Sequence, residues 1–327
     1  MSVAVDAGPA TVAEALVSVA RRLKEAGLSN TDAEAKELVA RALGIGRKGF
    51  DLRRGERWPV SAQGLLHSLL SSRVARVPLA YVLGEWDFLD MTLTVTPDVL
   101  IPRPETEELF QWLDGLPPPW RGRVGVGGAF STEQDATPYP PFPHKGGRNP
   151  QMTNLSDFRG TMNVVDVGTG AGGLALAMAR QWPTAQVTAI DLSAPALAVA
   201  RWNAQRHGVA DRIAFRLGDL LDGMSDGTAD LVAANLPYVA SSDIAGLSPE
   251  VRKEPVRALD GGADGLDLVR RLIPQAVRVL RPGGRLFLEV GRGQTASVKQ
   301  QMVRAGFAEV DVKRDFAGIE RFLRGVR

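Results

Sequence analysis

Residues 163–174 read Asn-Val-Val-Asp-Val-Gly-Thr-Gly-Ala-Gly-Gly-Leu, and this stretch decides the fold. The β-branched run from Asn163 to Val167 predicts a short buried strand. The glycines from Gly168 to Gly173 allow a sharp turn and let a ligand approach the backbone more closely than a Cβ atom would permit. A helical pattern begins directly after this loop, at Leu174. The order strand, glycine-rich loop, helix is typical of α/β folds that bind a nucleotide or nucleoside, although a tight turn without a ligand can have the same sequence.

Short apolar runs and helical stretches alternate from residue 163 to the C-terminus. This alternation predicts a parallel sheet with helices on both of its faces. The predicted strands are Asn163 to Val167, Gln186 to Ile190, Ile213 to Leu217, Asp230 to Ala234, Arg285 to Val290, Glu309 to Val312 and Arg321 to Leu323. The predicted helices are Leu174 to Gln181, Ala194 to His207, Leu266 to Leu280 and Thr295 to Ala305.

The N-terminal part of the chain has a helical pattern instead. Apolar residues recur at helical spacing from Thr11 to about Leu43, and a leucine-rich run follows at residues 65–70. Thr31 and Glu34 have the spacing of a capping box, which predicts that a helix begins there. The first 75 or so residues therefore form a helical unit, which is small enough that we expect it to pack against a second unit.

Two further segments separate this helical unit from the first strand of the sheet. The alternation at Met91 to Thr96 predicts a hairpin or short strands. Eight prolines lie between Pro117 and Pro150, in a stretch that has no sustained apolar period. Residues 117–160 are therefore interpreted as a flexible Pro/Gly-rich insertion, for which the sequence indicates no function.

The composition is that of an ordinary globular protein and excludes several kinds of site. The formal net charge is only +2, so the isoelectric point of about 9.0 is weak evidence for a nucleic-acid partner. The chain has no cysteine and three scattered histidines, so we expect no metal site. No stretch reaches the roughly 18 apolar residues that a membrane span needs, so we expect a cytoplasmic protein without a membrane partner.

Two aspartates follow the next predicted strands and are candidate ligands of a nucleoside. Asp191 ends the second strand of the sheet about 20 residues after the first glycine of the loop, where a carboxylate can accept hydrogen bonds from both ribose hydroxyls. Asp219 follows the third strand and could reach an adenine amino group. These positions predict an adenosine-containing cofactor but do not distinguish NAD from S-adenosylmethionine, because both contain a ribose.

The fourth strand of the sheet runs into Asn235-Leu236-Pro237-Tyr238 at its carboxyl end, where open α/β sheets bind their ligands. This turn favours S-adenosylmethionine and methyl transfer to an amide nitrogen, which is a poor nucleophile that must be held by its hydrogens. The Asn235 side-chain oxygen and the Leu236 carbonyl can each accept one of these hydrogens. Tyr238 offers a flat surface for the planar acceptor, and Pro237 stiffens the turn. The alternative interpretation is a loop that happens to contain Asn and Pro.

Several blocks outside this turn resemble one protein family. They are Pro78 to Phe88, Thr96 to Glu107, Asn203-Ala204, Glu254-Pro255, Asp260-Gly261-Gly262 with Asp264-Gly265-Leu266, and Glu289-Val290-Gly291. Together with the glycine-rich loop and the Asn235 turn, they are similar in order and spacing to the protein glutamine methyltransferases that modify peptide chain release factors, the PrmC/HemK family. The resemblance covers the chain from the N-terminal helices to Arg327, apart from the insertion.

The resemblance implies an α/β fold: a Rossmann-like, seven-stranded class I methyltransferase domain preceded by a small helical domain and a short β-hairpin connector. The implied boundaries are residues 1–77 for a helical substrate-docking domain, 78–100 for the connector and 101–327 for the methyltransferase domain. The implied activity is transfer of a methyl group from S-adenosylmethionine to the glutamine of the Gly-Gly-Gln loop of release factors, which are translation termination proteins. We expect a monomer that has no direct nucleic-acid substrate.

Carried over by position, the resemblance implies two sets of site residues. The cofactor contacts that it implies are Gly168, Thr169, Gly170, Ala171, Gly172, Asp191, Leu220 and Asn235, and Asp219 is added to them because of its position after the third strand. The residues expected to hold the glutamine are Asn235, Leu236, Pro237 and Tyr238. The sequence departs from the family's Asn-Pro-Pro-Tyr at Leu236, which keeps the carbonyl but loses some rigidity, and the insertion is a second departure.

Three other functions remain open at this stage. A nucleic-acid exocyclic-amino methyltransferase would need the same turn, although the chain has no strongly basic cluster. An NAD-dependent oxidoreductase would use the glycine-rich loop and Asp191 but would leave the Asn235 turn without a role. A non-catalytic binding protein could keep the fold and engage translation factors through its helical unit.

Overall fold

The structure of the protein is a computed structural model that describes residues 9–45, 50, 53–114 and 161–327. The insertion predicted at residues 117–160 lies outside these described residues. Within them, no helix is both long enough and apolar enough to cross a membrane.

The N-terminal part of the described chain is helical, as its periodicity predicts. The helices are α1 (Val12–Glu25), α2 (Thr31–Ala42), α3 (Val60–Val74) and the short α4 (Leu79–Leu83). The Thr11 hydroxyl accepts the Glu14 N–H at 3.2 Å and caps α1. Leu23 and Leu38 are fully buried where α1 and α2 pack together, so these helices share one small apolar core.

The capping box expected at Thr31 and Glu34 is wrong, although α2 begins at Thr31. The residue before the helix is Asn30, which has a left-handed backbone (φ 55°) and makes no side-chain cap. The Glu34 carboxylate instead binds the Arg73 guanidinium of α3 through two hydrogen bonds of 2.6 and 3.0 Å. Two hydrogen bonds to a buried guanidinium are stronger than the single backbone N–H that a capping box would give the Glu34 carboxylate, so the tertiary contact prevails over the local one.

Arg73 also joins the helical part to the loop that follows the Asn235 turn. Its Nη1 atom donates to Glu250 Oε1 at 3.0 Å, and Arg76 donates to Glu250 Oε2 at 3.0 Å. Burial acts to raise the pKa of Glu250, but the hydrogen bond from Arg73, a backbone hydrogen bond and the charges of Arg73 and Arg76 together lower this pKa below its usual range. The Arg73 guanidinium is thus buried between two carboxylates that come from different parts of the chain.

The predicted hairpin is present and packs on the glycine-rich loop. It consists of β1 (Glu85–Phe88) and β2 (Met91–Thr94), which pair antiparallel with Phe88 opposite Met91. The Phe88 ring is so close to Gly173 that a Cβ atom on Gly173 would lie 3.1 Å from it. The next helix, α5 (Pro104–Asp114), follows residues 95–103, which are neither helix nor strand. The hairpin therefore brings the start of α5 to the edge of the sheet where the glycine-rich loop lies.

The part of the chain after residue 160 forms a seven-stranded sheet of order β5-β4-β3-β6-β7-β9-β8. The strands are β3 (Asn163–Val167), β4 (Gln186–Asp191), β5 (Ile213–Leu217), β6 (Ala229–Asn235), β7 (Leu280–Glu289), β8 (Ala308–Arg314) and β9 (Glu320–Val326). The helices between them are α6 (Gly173–Gln181), α7 (Ala194–Arg206), α8 (Asp267–Val279) and α9 (Thr295–Ala305). The predicted seven-stranded methyltransferase fold is confirmed.

The sheet is mixed, so the prediction of a parallel sheet needs a correction. β3 to β7 pair in parallel, but β9 runs antiparallel to both β7 and β8. The reason is the connection between β8 and β9, which spans only residues 315–319. Such a short link can join antiparallel strands but is too short for the crossover that a parallel pair requires.

Helices cover both faces of the sheet, as predicted. Val164 of β3 packs in one core with residues of α5, α6 and α7, whereas the next residue, Val165, packs in the opposite core with residues of α8 and α9. This alternation follows from the two-residue period of a strand, because both faces of the central strands are buried.

Replacing Arg73 tests the contribution of the buried ion network to stability. We expect Arg73→Met to lower the free energy of unfolding by about 3 kcal/mol, because Glu34 and Glu250 would lose the cation between them. Chemical denaturation monitored by circular dichroism measures this change. The control is Arg21→Met, since Arg21 and Glu25 form an exposed pair within α1 whose loss costs roughly 0.5 kcal/mol or less. Equal effects of the two substitutions would contradict a stabilising role for the network.

Candidate active site

An open cleft lies at the carboxyl edge of the central strands. The parallel register places Val167 of β3 between Ile190 of β4 and Ala234 of β6, so the loops that follow these strands meet. The cleft encloses about 790 Å³ of empty space, a volume that includes solvent at its open mouth. Among the predicted site residues, the cleft is lined by Gly168, Gly170, Asp191, Asp219, Leu220, Asn235, Leu236 and Pro237.

The glycine-rich loop is held by hydrogen bonds to the ends of β3 and β4. The N–H groups of Gly168 and Thr169 donate to the Ile190 carbonyl at 2.8 and 3.0 Å. The Thr169 hydroxyl donates to Asp166 Oδ2 at 2.6 Å, and Ala175 N–H donates to the same oxygen at 3.1 Å. Burial raises the pKa of Asp166 to about 6. Thr169 therefore fixes the loop through Asp166, and together with Ala171 it lines a second cavity that also touches Gly168, Gly170 and Asn235.

Gly172 lies away from both cavities and against α7. Its φ is +89°, and a Cβ atom there would lie 2.8 Å from Leu176 and 3.1 Å from Ala200. The neighbouring Ala171 carbonyl accepts the Asn203 side-chain N–H at 2.9 Å, and Asn203 also exchanges hydrogen bonds with the backbone of Thr94 in β2. Gly172 thus allows close helix packing, and the buried Asn203 joins the loop to the hairpin.

The two predicted nucleoside ligands differ in how they are held. Asp191 accepts the Gly170 N–H at 2.9 Å on one oxygen and the Ser193 N–H at 2.8 Å on the other. Each oxygen keeps a lone pair that a hydroxyl group can use. Burial raises the pKa of Asp191, and these backbone hydrogen bonds oppose the rise. Asp219 lines the cleft and forms an ion pair with Arg271 at 2.7 Å.

The cleft residues fit S-adenosylmethionine, the cofactor that the sequence predicts. Gly170 has a left-handed backbone, and the space beside its Cα atom is open where a side chain would stand. Asp191 lies next to this space and suits the ribose hydroxyls. Leu220 and Leu236 supply buried apolar surface along the same cleft.

The Asn235 turn follows β6, and its side chains have different surroundings. The Asn235 side-chain NH₂ donates to the Thr106 hydroxyl of α5 at 2.7 Å. Leu236 is only 4% exposed and belongs to the core on the α8 side of the sheet, where a Cβ on Gly168 would touch it at 3.0 Å. The apolar packing of Leu236 therefore anchors the turn at the position where the family pattern has a proline ring.

Tyr238 lies behind the turn and is not among the residues that line the two cavities within the described chain. Its carbonyl accepts the Gln294 side-chain N–H at 3.0 Å. Pro237 and Tyr238 are closely approached by three glycines, Gly261, Gly265 and Gly291. A Cβ atom on Gly265 would collide with the Tyr238 carbonyl. Burial raises the pKa of Tyr238 to about 12, so its hydroxyl stays protonated at neutral pH.

Glu254 and two further residues are part of the site, although sequence reasoning gave them no role. The buried Glu254 carboxylate accepts the Ile101 N–H at 3.0 Å and pairs with Arg103 at 2.6 Å, which holds the segment before α5 over the second cavity. Thr106 and Glu289 lie behind Asn235. The only sequence signal for the three was their place inside the blocks that resemble the PrmC/HemK family.

Comparison with known proteins agrees with this geometry. Residues 159–315 match the model of a methyltransferase domain, and residues 14–84 match that of the PrmC N-terminal domain. The chain is 34% identical over 304 residues to the release factor glutamine methyltransferase of Geobacter sulfurreducens, which covers 93% of this chain and 92% of the relative. The chain belongs to the release factor glutamine methyltransferase family.

Other members of the release factor glutamine methyltransferase family match over a similar length. The member from Deinococcus radiodurans is 35% identical, over 95% of this chain and 97% of its own. The human MTRF1L release factor glutamine methyltransferase is 32% identical, over 91% of this chain and 82% of its own. The likeness thus includes the helical part, the hairpin and the sheet.

Replacing Gly265 tests the tight packing behind the turn. We expect Gly265→Ala to destabilise the protein by roughly 2 to 4 kcal/mol, because the new Cβ combines a strained backbone with a collision against the Tyr238 carbonyl. The control is Gly283→Ala, where φ is also positive at +79° but no atom lies within 4 Å of the new Cβ. Chemical denaturation of both variants gives the comparison. A Gly283→Ala variant as unstable as Gly265→Ala would show that backbone strain, and not the collision, is responsible.

Proposed function

We propose that this chain methylates the side-chain amide nitrogen of the glutamine in the Gly-Gly-Gln loop of peptide chain release factors, with S-adenosylmethionine as the donor. The observation that carries the proposal is the Asn235 turn, because Asn235 lines both the cleft and the second cavity while Leu236 and Pro237 line the cleft. The family membership supports the same acceptor, because the relatives are named for release factor glutamine methylation.

The acceptor amide requires orientation more than activation. When bound, S-adenosylmethionine supplies an electrophilic methyl group. Asn235 Oδ1 and the Leu236 carbonyl each accept one N–H of the substrate amide, which turns the nitrogen toward the cleft. Pro237 lines the cleft beside the planar amide, and the partly buried Tyr238 supports the turn from behind. The reaction therefore depends on fixed acceptors, and the packing of Leu236 and the surrounding glycines keeps them fixed.

The cofactor would be held by the glycine-rich loop and the two carboxylates. In this proposal Gly168 and Gly170 let the cofactor approach the backbone, Asp191 binds the ribose, and the Asp219–Arg271 pair faces the adenine. Thr169 and Gly172 act indirectly. The Thr169 hydroxyl forms a hydrogen bond with Asp166, and Gly172 allows α7 to pack closely against the loop.

The helical part is proposed to dock the release factor. Residues 14–84 match a domain that is defined by this family, and Arg73 connects that domain to the loop of Glu250 beyond the Asn235 turn. The proposed organisation has a docking domain at residues 1–77, a connector at 78–100 and a catalytic domain at 101–327. We also propose that the enzyme works as a monomer in the cytoplasm, without a direct nucleic-acid substrate.

A transfer assay tests the proposed acceptor. The purified protein is incubated with methyl-labelled S-adenosylmethionine and either a release factor, the same factor with its Gly-Gly-Gln glutamine replaced by alanine, or bare nucleic acid. We expect label only in the unaltered factor. Label in nucleic acid and none in the factor would contradict the proposal and favour a base-methylating enzyme.

The Asn235→Ala variant tests the role of the turn. We expect transfer to the release factor to fall by about 100-fold or more, because one of the two fixed acceptors is removed. The dissociation constant for S-adenosylmethionine, measured by calorimetry, should rise by about fivefold or less, since the glycine-rich loop and Asp191 remain. An active variant would refute the proposed contact with the acceptor amide.

A further inference from the structure

A chain of three side chains leads from the Asn235 turn into the interior. The Asn235 NH₂ group donates to Thr106 Oγ1 at 2.7 Å, and the Thr106 hydroxyl donates to Glu289 Oε2 at 2.8 Å. The three residues lie on β6, α5 and β7, and Asn235 and Glu289 are directly opposite in the paired strands. Thr106 is 7% exposed and Glu289 is 1% exposed, so water has little access to these two side chains.

The order of donors in this chain determines which end of the Asn235 amide faces the substrate. An ionised carboxylate can only accept hydrogen bonds, so the Thr106 hydroxyl must donate its one hydrogen to Glu289. The Thr106 oxygen is then left to accept from the Asn235 NH₂ group. Oδ1 of Asn235 is consequently turned away from Thr106 and is free to accept an N–H of the substrate amide.

Glu289 is a costly residue to bury for structural reasons alone. Its other oxygen, Oε1, has no hydrogen-bond partner among the described residues, although the atom is buried. The pKa of Glu289 is raised to about 7, because burial and the charge of Glu105 raise it by more than the Thr106 hydrogen bond and the charges of Arg321 and Arg103 lower it. Tyr238 also faces this carboxyl group, which raises the pKa of the tyrosine.

We propose that Thr106 and Glu289 are positioning residues for amide methylation, with Glu289 acting through the Thr106 hydroxyl to hold the Asn235 amide with its oxygen toward the substrate. This inference rests on the proposed function, because it assigns these residues to the step in which Asn235 holds the acceptor. The negative charge behind Thr106 also polarises the Asn235 amide and makes Oδ1 a stronger acceptor.

The polarised oxygen is most useful as the nitrogen becomes positive. The acceptor nitrogen forms its bond to the methyl carbon while the carbon–sulfur bond breaks and leaves its electron pair on sulfur. The nitrogen then carries a positive charge until it releases one proton to water. A fixed Oδ1 with a carboxylate behind it stabilises this charge where it develops, which is the usual source of electrostatic catalysis.

Protonation of Glu289 reverses the direction in which these three side chains donate their hydrogen bonds. A protonated carboxyl can donate to Thr106, and the Thr106 hydroxyl can then donate to Asn235 Oδ1, which presents the NH₂ end of Asn235 to the substrate. The turnover number, kcat, should therefore rise as the pH increases through about 7, the pKa of the buried carboxyl. Glu289→Gln should lower kcat and remove this rise with pH, because the glutamine amide can accept or donate a hydrogen bond at any pH.

Variants of Thr106 separate positioning from general damage. We expect Thr106→Val to lower kcat for release factor methylation by about 10- to 100-fold, while Thr106→Ser stays within about threefold of the wild type. The dissociation constant for S-adenosylmethionine should change by about threefold or less in both variants. The control is Thr295→Val, which removes another buried hydroxyl–carboxylate hydrogen bond, from Thr295 to Glu320, and should leave kcat near the wild-type value.

A second readout does not depend on transfer. In protein labelled with ¹⁵N at asparagine, the side-chain NH₂ signal of Asn235 should shift with a midpoint near pH 7, and this titration should vanish in Thr106→Val and Glu289→Gln. The inference would be overturned if the Thr106→Val and wild-type enzymes were equally active, or if the titration of the Asn235 signal were unchanged by both substitutions. Absence of methyl transfer by the wild type would instead refute the proposed function. The Asn235 titration would still decide whether Glu289 acts on the Asn235 amide through Thr106.

Discussion

The parallel pairing of β3 with β4 and β6 is the constraint on which the rest of the site depends. Hydrogen bonding in this register brings the ends of three strands to the same edge of the sheet, although their residues are separated by 20 to 70 positions in the sequence. The glycine-rich loop, Asp191 and the Asn235 turn each follow one of these strands. Any slip in register would move the loops apart and would turn buried side chains toward the opposite face.

Buried polar groups connect the other parts of the chain to this edge. Asn203 joins the hairpin to the glycine-rich loop, Glu254 holds the segment before α5, and Arg73 links the helical part to the loop of Glu250. A buried polar group is costly unless all its partners are in place, so each contact favours one arrangement of the chain over its alternatives. The site is therefore assembled from elements that would otherwise be independent.

The Asn235 turn shows that rigidity can come from packing. Leu236 stands where the family pattern has proline, and it is held by the core on the α8 side of the sheet. Gly261 and Gly265 approach the carbonyls of the next two residues so closely that a Cβ atom would collide with them, and Gly291 lies against the Tyr238 ring. The turn is thus enclosed on several sides, and the loss of one ring constraint is compensated by its surroundings.

The sequence by itself determined the elements and the local motifs. The strands Asn163–Val167 and Ile213–Leu217 and the helix Thr295–Ala305 have the predicted limits, because the period of apolar residues is a local property. The loop at Gly168, Asp191 and the turn at Asn235 could be found for the same reason, and their assignment to cofactor and substrate remains a prediction. Only the tertiary structure decided that β9 runs antiparallel, that Glu34 binds Arg73 instead of capping α2, and that Asn235 reaches Glu289 through Thr106. Each of these contacts joins residues distant in sequence, and their energy depends on burial and on a partner that no local pattern identifies.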